Sequence, residues 1–573
     1  MQKHEALIIL DLLKTDDSLQ ESELVPNVEG NTIAISGKVS IEGHKIKILL
    51  VLDPDFPRSL PYIFLQNGSE YEDLPHVLKE NMVCYQTTEG IILDEKQPAE
   101  IIRWAIQKAV IVLADGKKGA NWGDYADEFE VYWGYVSSSS IINLVNTTAK
   151  SHEVKLFKNG QKSYLAQSVG DVARYLHLDI DKVRQKFPIE ERSAIFVLPV
   201  GTVIRPPRFD QPFWLVDELK RVIQPALDTL SVKQYKQYIK LNNSMSGTMV
   251  FALPRPSGGF SLFGVSYVSP EGNHPFSERG NSAKIQPIKV LREEASYILP
   301  RGGSKTAHSS KRVLLVGSGA VGGYVAHELV RAGVMNLTVV DSDKMSLENT
   351  FRHVLGNAYQ GRPKASSMRD ELNRKFPYAD IVAIDTSIEQ AVNDGLVRFS
   401  TFDLVISALG KPTTEIWLNE QAVKYAKVPI LFGWVEPLGI GGHALLAQPG
   451  IKGCFKCLYS SIDPEDAMAN RAAFAGKNQW FGKSLSGCGQ LHTPYGSLDA
   501  SRTANLMTQL ALDSLTGKET KGMLLSWKGD SAEFLKQKYV LSERFKTSEE
   551  QLYHTRYLFA SSACPICGRL PNI

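Results

Sequence analysis

Hydrophobic and polar positions follow three successive rhythms along the chain. Over residues 1–150 an opening helical pattern gives way to the β-rich runs TIAISGKV, HKIKILLVL and YIFLQ. AEIIRWAIQKAVIVLA then repeats its apolar residues at helical spacing, so this stretch predicts an α+β domain. Inside it, DPDFPRSLPYIFL carries three prolines. Proline fixes φ and biases the residue before it to extended backbone, so the chain should enter the strand Tyr62–Leu65 through a turned, extended segment. Cys84 follows in an irregular stretch.

Residues 151–300 mix strands (SAIFVLP, TMVFALP, FSLFGVSYV) with one helical stretch near 215–240, and read as a connecting domain. RGGSKTAHSSK, residues 301–311, is rich in Gly, Ser and Lys and reads as a linker. From 312 to 573 the pattern changes again. A buried strand, a glycine turn, an amphipathic helix and a second strand come first, followed by ADIVAID, FDLVISAL and VPILFGW with helices between them. That alternation predicts a Rossmann-like α/β domain with a parallel, doubly wound sheet.

Composition narrows the class without naming it. The chain has 573 residues, 43% hydrophobic and 22% charged, in the range of a globular protein of several domains. Lys+Arg 64 against Asp+Glu 62 leaves a net charge of +2, which gives no global attraction to nucleic acid or to anionic membrane. The apolar start is cut by Asp11 and no run of about 18 apolar residues follows, so a cytoplasmic protein is expected. Six cysteines are too few for a disulfide scaffold and suggest metal-binding or catalytic thiols.

Gly317, Gly319 and Gly322 form G-x-G-x-x-G between strand and helix, with Asp341 closing the next strand. Glycine lets backbone approach phosphate, the helix start supplies N–H groups, and the acid can accept ribose hydroxyls. Asp343, Asn349, Arg352 and Lys364 follow in DSDKMSLENTFRHVLGNAYQGRPK. A hydride-transfer enzyme has no need of cations there, whereas adenylyl chemistry needs them against charge growing on phosphate oxygens.

The block GSGAVGGYVAHELVRAGVMNLTVVDSDKMSLENTFRH with a following Lys resembles the adenylation domain of ubiquitin-activating enzymes and their bacterial sulfur-carrier relatives of the ThiF/MoeB type. The resemblance runs from about 311 onward and implies ATP as the nucleotide. It implies that Asp341 holds the ribose, that Asn349 and Arg352 hold the triphosphate, and that Lys364 holds the phosphate under attack. Members usually carry a metal-binding Asp where this chain has Gly410, which leaves Asp343 as the candidate Mg²⁺ ligand.

Cys454 and Cys457 form one C-x-x-C and Cys564 and Cys567 another, a full tetrahedral set for structural Zn²⁺. Cys488 lies in a glycine-rich loop before a helix, where a thiolate can be exposed and favoured. The resemblance gives it the activated acyl group. Around Cys84 the sequence resembles the ubiquitin-conjugating enzyme fold: FPRSLPYIFL lies upstream and a Pro-initiated helix downstream. His76 falls where that family's His-Pro-Asn motif begins, but Val77 and Leu78 follow, leaving Asn81 as a substitute oxyanion donor.

A conjugating-type domain, a connecting domain and an activating-type domain in one chain resemble the bacterial activating–conjugating fusions of CBASS anti-phage operons. The resemblance implies that the C-terminal carboxylate of a protein, a cGAS-like nucleotidyltransferase, is adenylated, passed from Cys488 to Cys84 and joined to a target lysine. It also implies a homodimer, and no nucleic-acid or membrane partner is expected. The alternatives are a sulfur-carrier adenylyltransferase, conjugation of a separate bacterial ubiquitin-like protein, a nicotinamide oxidoreductase, and a non-catalytic scaffold.

Overall fold

The computed structural model describes residues 3–14, 19–25, 32–66, 70–71, 73–87, 89–207, 214–241, 245–277, 279–460, 469–484, 491–492 and 494–570. It divides into two compact units, residues 1–172 with 180–294, and residues 173–179 with 295–573. Among the described residues no helix is long and apolar enough to cross a membrane.

The first unit begins with α1 (Lys3–Lys14) and an antiparallel meander of β1 (Gln20–Val25), β2 (Ile33–Ile41), β3 (His44–Leu52) and β4 (Tyr62–Leu65). Glu42 and Gly43 both adopt positive φ in the two-residue turn that pairs Ile41 with His44. A turn with positive φ at both positions matches the right-handed twist of the strands it joins. Alternate residues of β3 (Ile46, Ile48, Leu50, Leu52) share a core with Ile102, Ala105, Ile106 and Leu113 of α2 (Pro98–Lys118). Pro98 starts that helix, where the missing N–H costs nothing, and Gly119 at φ +76° ends it.

Helix α3 (Asp124–Val136) leads into a closed seven-stranded barrel. Its strands are β5 (Ser139–Asn143), β6 (His152–Lys158), β7 (Ser163–Ala166), β8 (Ile189–Val197), β9 (Ser246–Pro254), β10 (Phe260–Val268) and β11 (Lys284–Arg292), in the order β10-β11-β5-β7-β6-β8-β9. In β9, Val250 and Ala252 join one apolar cluster, while Met249, Phe251 and Leu253 join a second that includes Phe129 and Trp133 of α3. Burial on both faces explains its continuous apolar run. The helical stretch expected near 215–240 is two helices, Val216–Asp228 and Val232–Leu241, and two more occur at Val169–Leu176 and Ile180–Lys186. Helices of seven or eight residues span too few turns for periodicity to reveal them.

The second unit is built on a seven-stranded sheet. Its strands run β14 (Asp380–Ile384), β13 (Asn336–Val340), β12 (Arg312–Val316), β15 (Leu404–Ser407), β16 (Ile430–Val435), β17 (Gly441–Ala447) and finally Met523–Lys528. The first five are parallel, β17 runs antiparallel to β16, and Met523–Lys528 runs antiparallel to β17 and so in the direction of the first five. In β12, Val313 and Leu315 enter one core with residues of the helices Ala320–Arg331 and Ser497–Leu515, while Leu314 and Val316 enter the core on the other face. Two buried faces again produce an unbroken apolar strand.

Candidate functional site

The glycine turn lies between β12 and the helix Ala320–Arg331. Gly317 has φ +88°, and a Cβ there would meet the Ala408 carbonyl oxygen at 2.9 Å. A Cβ on Gly322 would lie 1.9 Å from the Gly317 oxygen, so only hydrogen lets the helix close on the turn. Gly319, at the helix start, faces open space. That is the cradle a nucleotide phosphate needs beside unpaired helix N–H groups.

Asp341 is buried at the end of β13. Its Oδ2 accepts from the Ser318 N–H (2.6 Å) and Ser318 Oγ (3.1 Å), and its Oδ1 accepts from the Asp343 N–H (2.8 Å). Lys364, also buried, donates from Nζ to Asp343 Oδ2 at 3.0 Å and from its backbone N–H to the Asp343 oxygen at 2.9 Å. Asp343 itself is mostly exposed. Arg352 donates to Asn349 Oδ1 at 3.4 Å and sits 5.2 Å from the centre of the Tyr495 ring. Its buried Nε has no hydrogen-bond partner, a donor left for an anion.

Sequence reasoning passed over Ser318, His353, Glu415 and Tyr495. His353 Nε2 lies 2.5 Å from the Ser318 oxygen, and burial lowers its proton affinity, which favours the neutral ring. Gly410 adopts φ +63°. The carboxylate of Glu415 lies beneath it, accepting from Ser407 Oγ at 3.0 Å and from the backbone N–H groups of Leu409 and Gly410. Burial pushes Glu415 up to about 7, against the pull of those hydrogen bonds.

Cys454, Cys457, Cys564 and Cys567 converge in the core of the second unit, with all four sulphurs within 4.8 Å of one another. Zn–S bonds of about 2.3 Å place tetrahedral sulphurs about 3.8 Å apart. Here the Cys454–Cys457, Cys454–Cys564 and Cys457–Cys567 separations are 4.0, 3.6 and 3.3 Å. The set is therefore one that can hold zinc. Arg471 links the first knuckle to the segment that precedes the second, donating to the Cys457 and Phe559 carbonyls at 2.7 and 3.0 Å. Cys488 lies outside the described residues.

Cys84 is half-buried in the first unit, at the end of a tight hairpin whose other arm starts at His76. The Cys84 N–H donates to the His76 carbonyl at 2.7 Å, and Val77 pairs with Val83. Glu80 and Asn81, both at positive φ, make the turn. His76 Nδ1 lies 2.9 Å from Glu128 Oε1, and Nε2 lies 2.9 Å from Asp124 Oδ2. Burial opposes the imidazolium, but these hydrogen bonds and charges outweigh it and hold His76 at about 9. Burial raises the Cys84 thiol, and the Glu128 charge raises it further. Asp124, Glu128 and Tyr132 were not anticipated, although their spacing of four along DYADEFEVY marks one polar helical face.

The ThiF family profile matches residues 292–534, and the prokaryotic E2 family B profile matches residues 13–141. An ATP-dependent ubiquitin transferase-like protein Cap2 of Pseudomonas aeruginosa is 24% identical over 83% of this chain and 83% of its own. The protein of that name in Escherichia coli strain TW11681 is 24% identical over 83% of this chain and 86% of its own. The molybdopterin-synthase adenylyltransferase of E. coli K12 is 32% identical over 32% of this chain and 74% of its own. The chain belongs to the ThiF family, as an enzyme in which an E2-type domain precedes the adenylating domain.

Proposed function

We propose that this enzyme activates the C-terminal carboxylate of a protein with ATP and joins it to a lysine of a target. The carboxylate attacks the α-phosphorus, forming acyl-adenylate and releasing pyrophosphate. Asp341 orients the ribose through its remaining lone pairs, while Asn349, Arg352 and Lys364 neutralise charge on the phosphates. Asp343, whose mostly exposed carboxylate pairs with Lys364, would hold the Mg²⁺ that ATP brings, and that ion would offset phosphate charge. The Cys488 thiolate takes the acyl group and expels AMP, and the Cys84 thiolate takes it from Cys488. The lysine amine then attacks the thioester, loses a proton and frees the Cys84 thiol. Tethering both thiols in one chain raises the effective concentration of the second acceptor.

The division follows that chemistry. Residues 1–150 carry the conjugating thiol, 151–300 connect, 301–311 link, and 312–573 adenylate, with one zinc held by the four cysteines. We assign the activated protein to the cGAS-like nucleotidyltransferases of anti-phage defence and the enzyme to the cytoplasm, as a homodimer. The observation carrying this reading is one chain that holds both a nucleotide turn and, in a separate unit, the Cys84–His76 hairpin. Similarity to a sulfur carrier protein adenylyltransferase of Thermus thermophilus favours a second reading, activation of a sulfur carrier, but that leaves Cys84 without a task.

The test is thioester trapping with ATP and the donor protein. Cys84→Ala should retain a reducible thioester at Cys488 and form no reductant-stable conjugate, and Cys488→Ala should form neither. Conjugation by Cys84→Ala at the wild-type rate defeats the reading.

A further inference from the structure

Helix α3 belongs to two packing systems at once. On one side Glu130 accepts from the Leu262 N–H (2.7 Å), Arg255 (3.2 Å) and Arg292 (3.1 Å) of the barrel, and Trp133 Nε1 donates to the Gly264 and Ile288 carbonyls at 3.0 and 3.1 Å. On the other side the same helix grips His76 three times. Asp124 and Glu128 take the two ring nitrogens, and the Tyr132 oxygen accepts the His76 backbone N–H at 2.8 Å while its hydroxyl donates to Glu128 Oε2 at 3.1 Å.

This grip fixes a costly conformation. His76 has φ +66°, in the left-handed region that non-glycine residues rarely enter, and its carbonyl receives the N–H of Cys84. With both ring nitrogens engaged by carboxylates, His76 has no free nitrogen to act as base or oxyanion donor. Its effect on the thiol must pass through the backbone bond.

We propose that His76 is a positioning residue for Cys84, the joint through which α3, braced on the barrel, seats the thiol for acyl transfer. The inference rests on the reading of Cys84 as a thioester carrier and gives residues 151–300 a mechanical task. The groups facing His76 are Asp124, Glu128 and Tyr132 from α3, and from its own hairpin it meets the Cys84 backbone N–H. Because its proton is held to about 9, well above the ordinary 6.5, the grip is complete at neutral pH and is lost as pH rises through about 9.

The experiment uses the full chain with ATP and donor, and compares wild type with Glu128→Gln and Asp124→Asn, near-isosteric changes that preserve helix packing. His76 titration is followed by NMR of ring-labelled histidine, and loading of Cys84 is measured separately from its discharge to lysine. The expected wild-type midpoint is about 9, falling in both variants. Loading should stay within about twofold while discharge slows roughly tenfold at pH 7.5, and the wild-type advantage should disappear above pH 9. A wild-type midpoint near 6.5, or variants that discharge with the wild-type rate and pH profile, overturns the proposal. Absence of any wild-type thioester on Cys84 overturns the proposed function itself and the inference with it, an outcome distinct from normal loading with unaltered discharge.

Discussion

The nucleotide turn and the Cys84 hairpin are both built around special backbone geometry, but they are assembled over different distances. Around Gly317 the partners come from one strand–helix–strand passage and the loop after it: Ser318, Asp341, Asp343 and Lys364 are bound to one another. Around Cys84 they come from α3, with His76 meeting groups 48, 52 and 56 residues further along the chain. The electrostatics differ as well. In the second unit burial dominates and drives Glu415 up, whereas in the first unit two carboxylates overcome burial and drive His76 up. A site assembled locally leaves a motif in the sequence, and a site assembled by a distant helix leaves only a periodic face.

The four-cysteine set tests the limits of that contrast, because its knuckles lie 110 residues apart yet each is locally recognisable. If zinc closes it, binding energy is folding energy, of the order of 10 kcal/mol for such sites. Cys564→Ser should remove the metal and lower the melting temperature of the second unit by more than 10 °C. Metal analysis together with calorimetry checks this, and an unchanged melting profile in metal-free protein would show that the four thiols pack without needing the ion.

Two glycine substitutions separate folding from ligand binding in the nucleotide turn. Gly322→Ala drives a Cβ into the Gly317 carbonyl, so the helix must retreat from the strand, costing stability as well as activity. Gly319→Ala meets nothing within 4 Å and should fold normally, yet it fills the cradle and should reduce ATP–pyrophosphate exchange about a hundredfold. Equal melting losses for the two variants would mean that the turn is held by something other than close packing.

Much of the second unit was legible because its signals are short-range. The glycine spacing, the continuous apolar strand β12 and the paired C-x-x-C knuckles each announce a geometry that the structure contains. Glu415 was not legible. Its role depends on burial beneath Gly410, and a lone acid near a helix start reads as a solvent-exposed residue. In the first unit Cys84 and His76 could be singled out, but neither the hairpin that joins them nor the barrel could be read. Closure depends on which strand edges meet, as in the parallel pairing of β8 with β9 across 48 residues between Val197 and Ser246, and period-two alternation does not encode that. Asp124 and Glu128 could be placed on one helical face, though nothing local said that the face would meet His76.

A smaller effect follows from Glu415. Its folded proton affinity is raised above the ordinary carboxylate value of 4.5, so its contribution is fully present below about pH 4.5 and is lost as pH rises through about 7. Glu415→Gln keeps the shape and stays neutral. The variant should therefore be more stable than wild type at pH 8, by about 2 kcal/mol, and the difference should shrink toward zero near pH 5. Thermal melts at the two pH values measure it. A pH-independent difference would place the effect on lost hydrogen bonds from Leu409 and Gly410 instead.

The smallest effect concerns the thiol itself and asks whether Cys84 shares the charge environment of His76. Burial and the Glu128 carboxylate both hold the Cys84 thiol above its ordinary value, so at pH 7.5 little of it is thiolate. Thiolate is the species that iodoacetamide alkylates. Glu128→Gln removes one of the two causes and leaves burial, so the thiolate fraction should rise and alkylation of Cys84 should quicken by about two- to threefold. Loosening of the hairpin would also admit reagent, and Asp124→Asn is the control for it, because Asp124 holds the His76 ring but is not among the charges that raise the Cys84 thiol. Alkylation rates from peptide mass spectrometry at pH 7–8.5 compare the two variants. A gain confined to Glu128→Gln places Glu128 within electrostatic reach of the sulphur, and an equal gain in Asp124→Asn would confine its influence to His76.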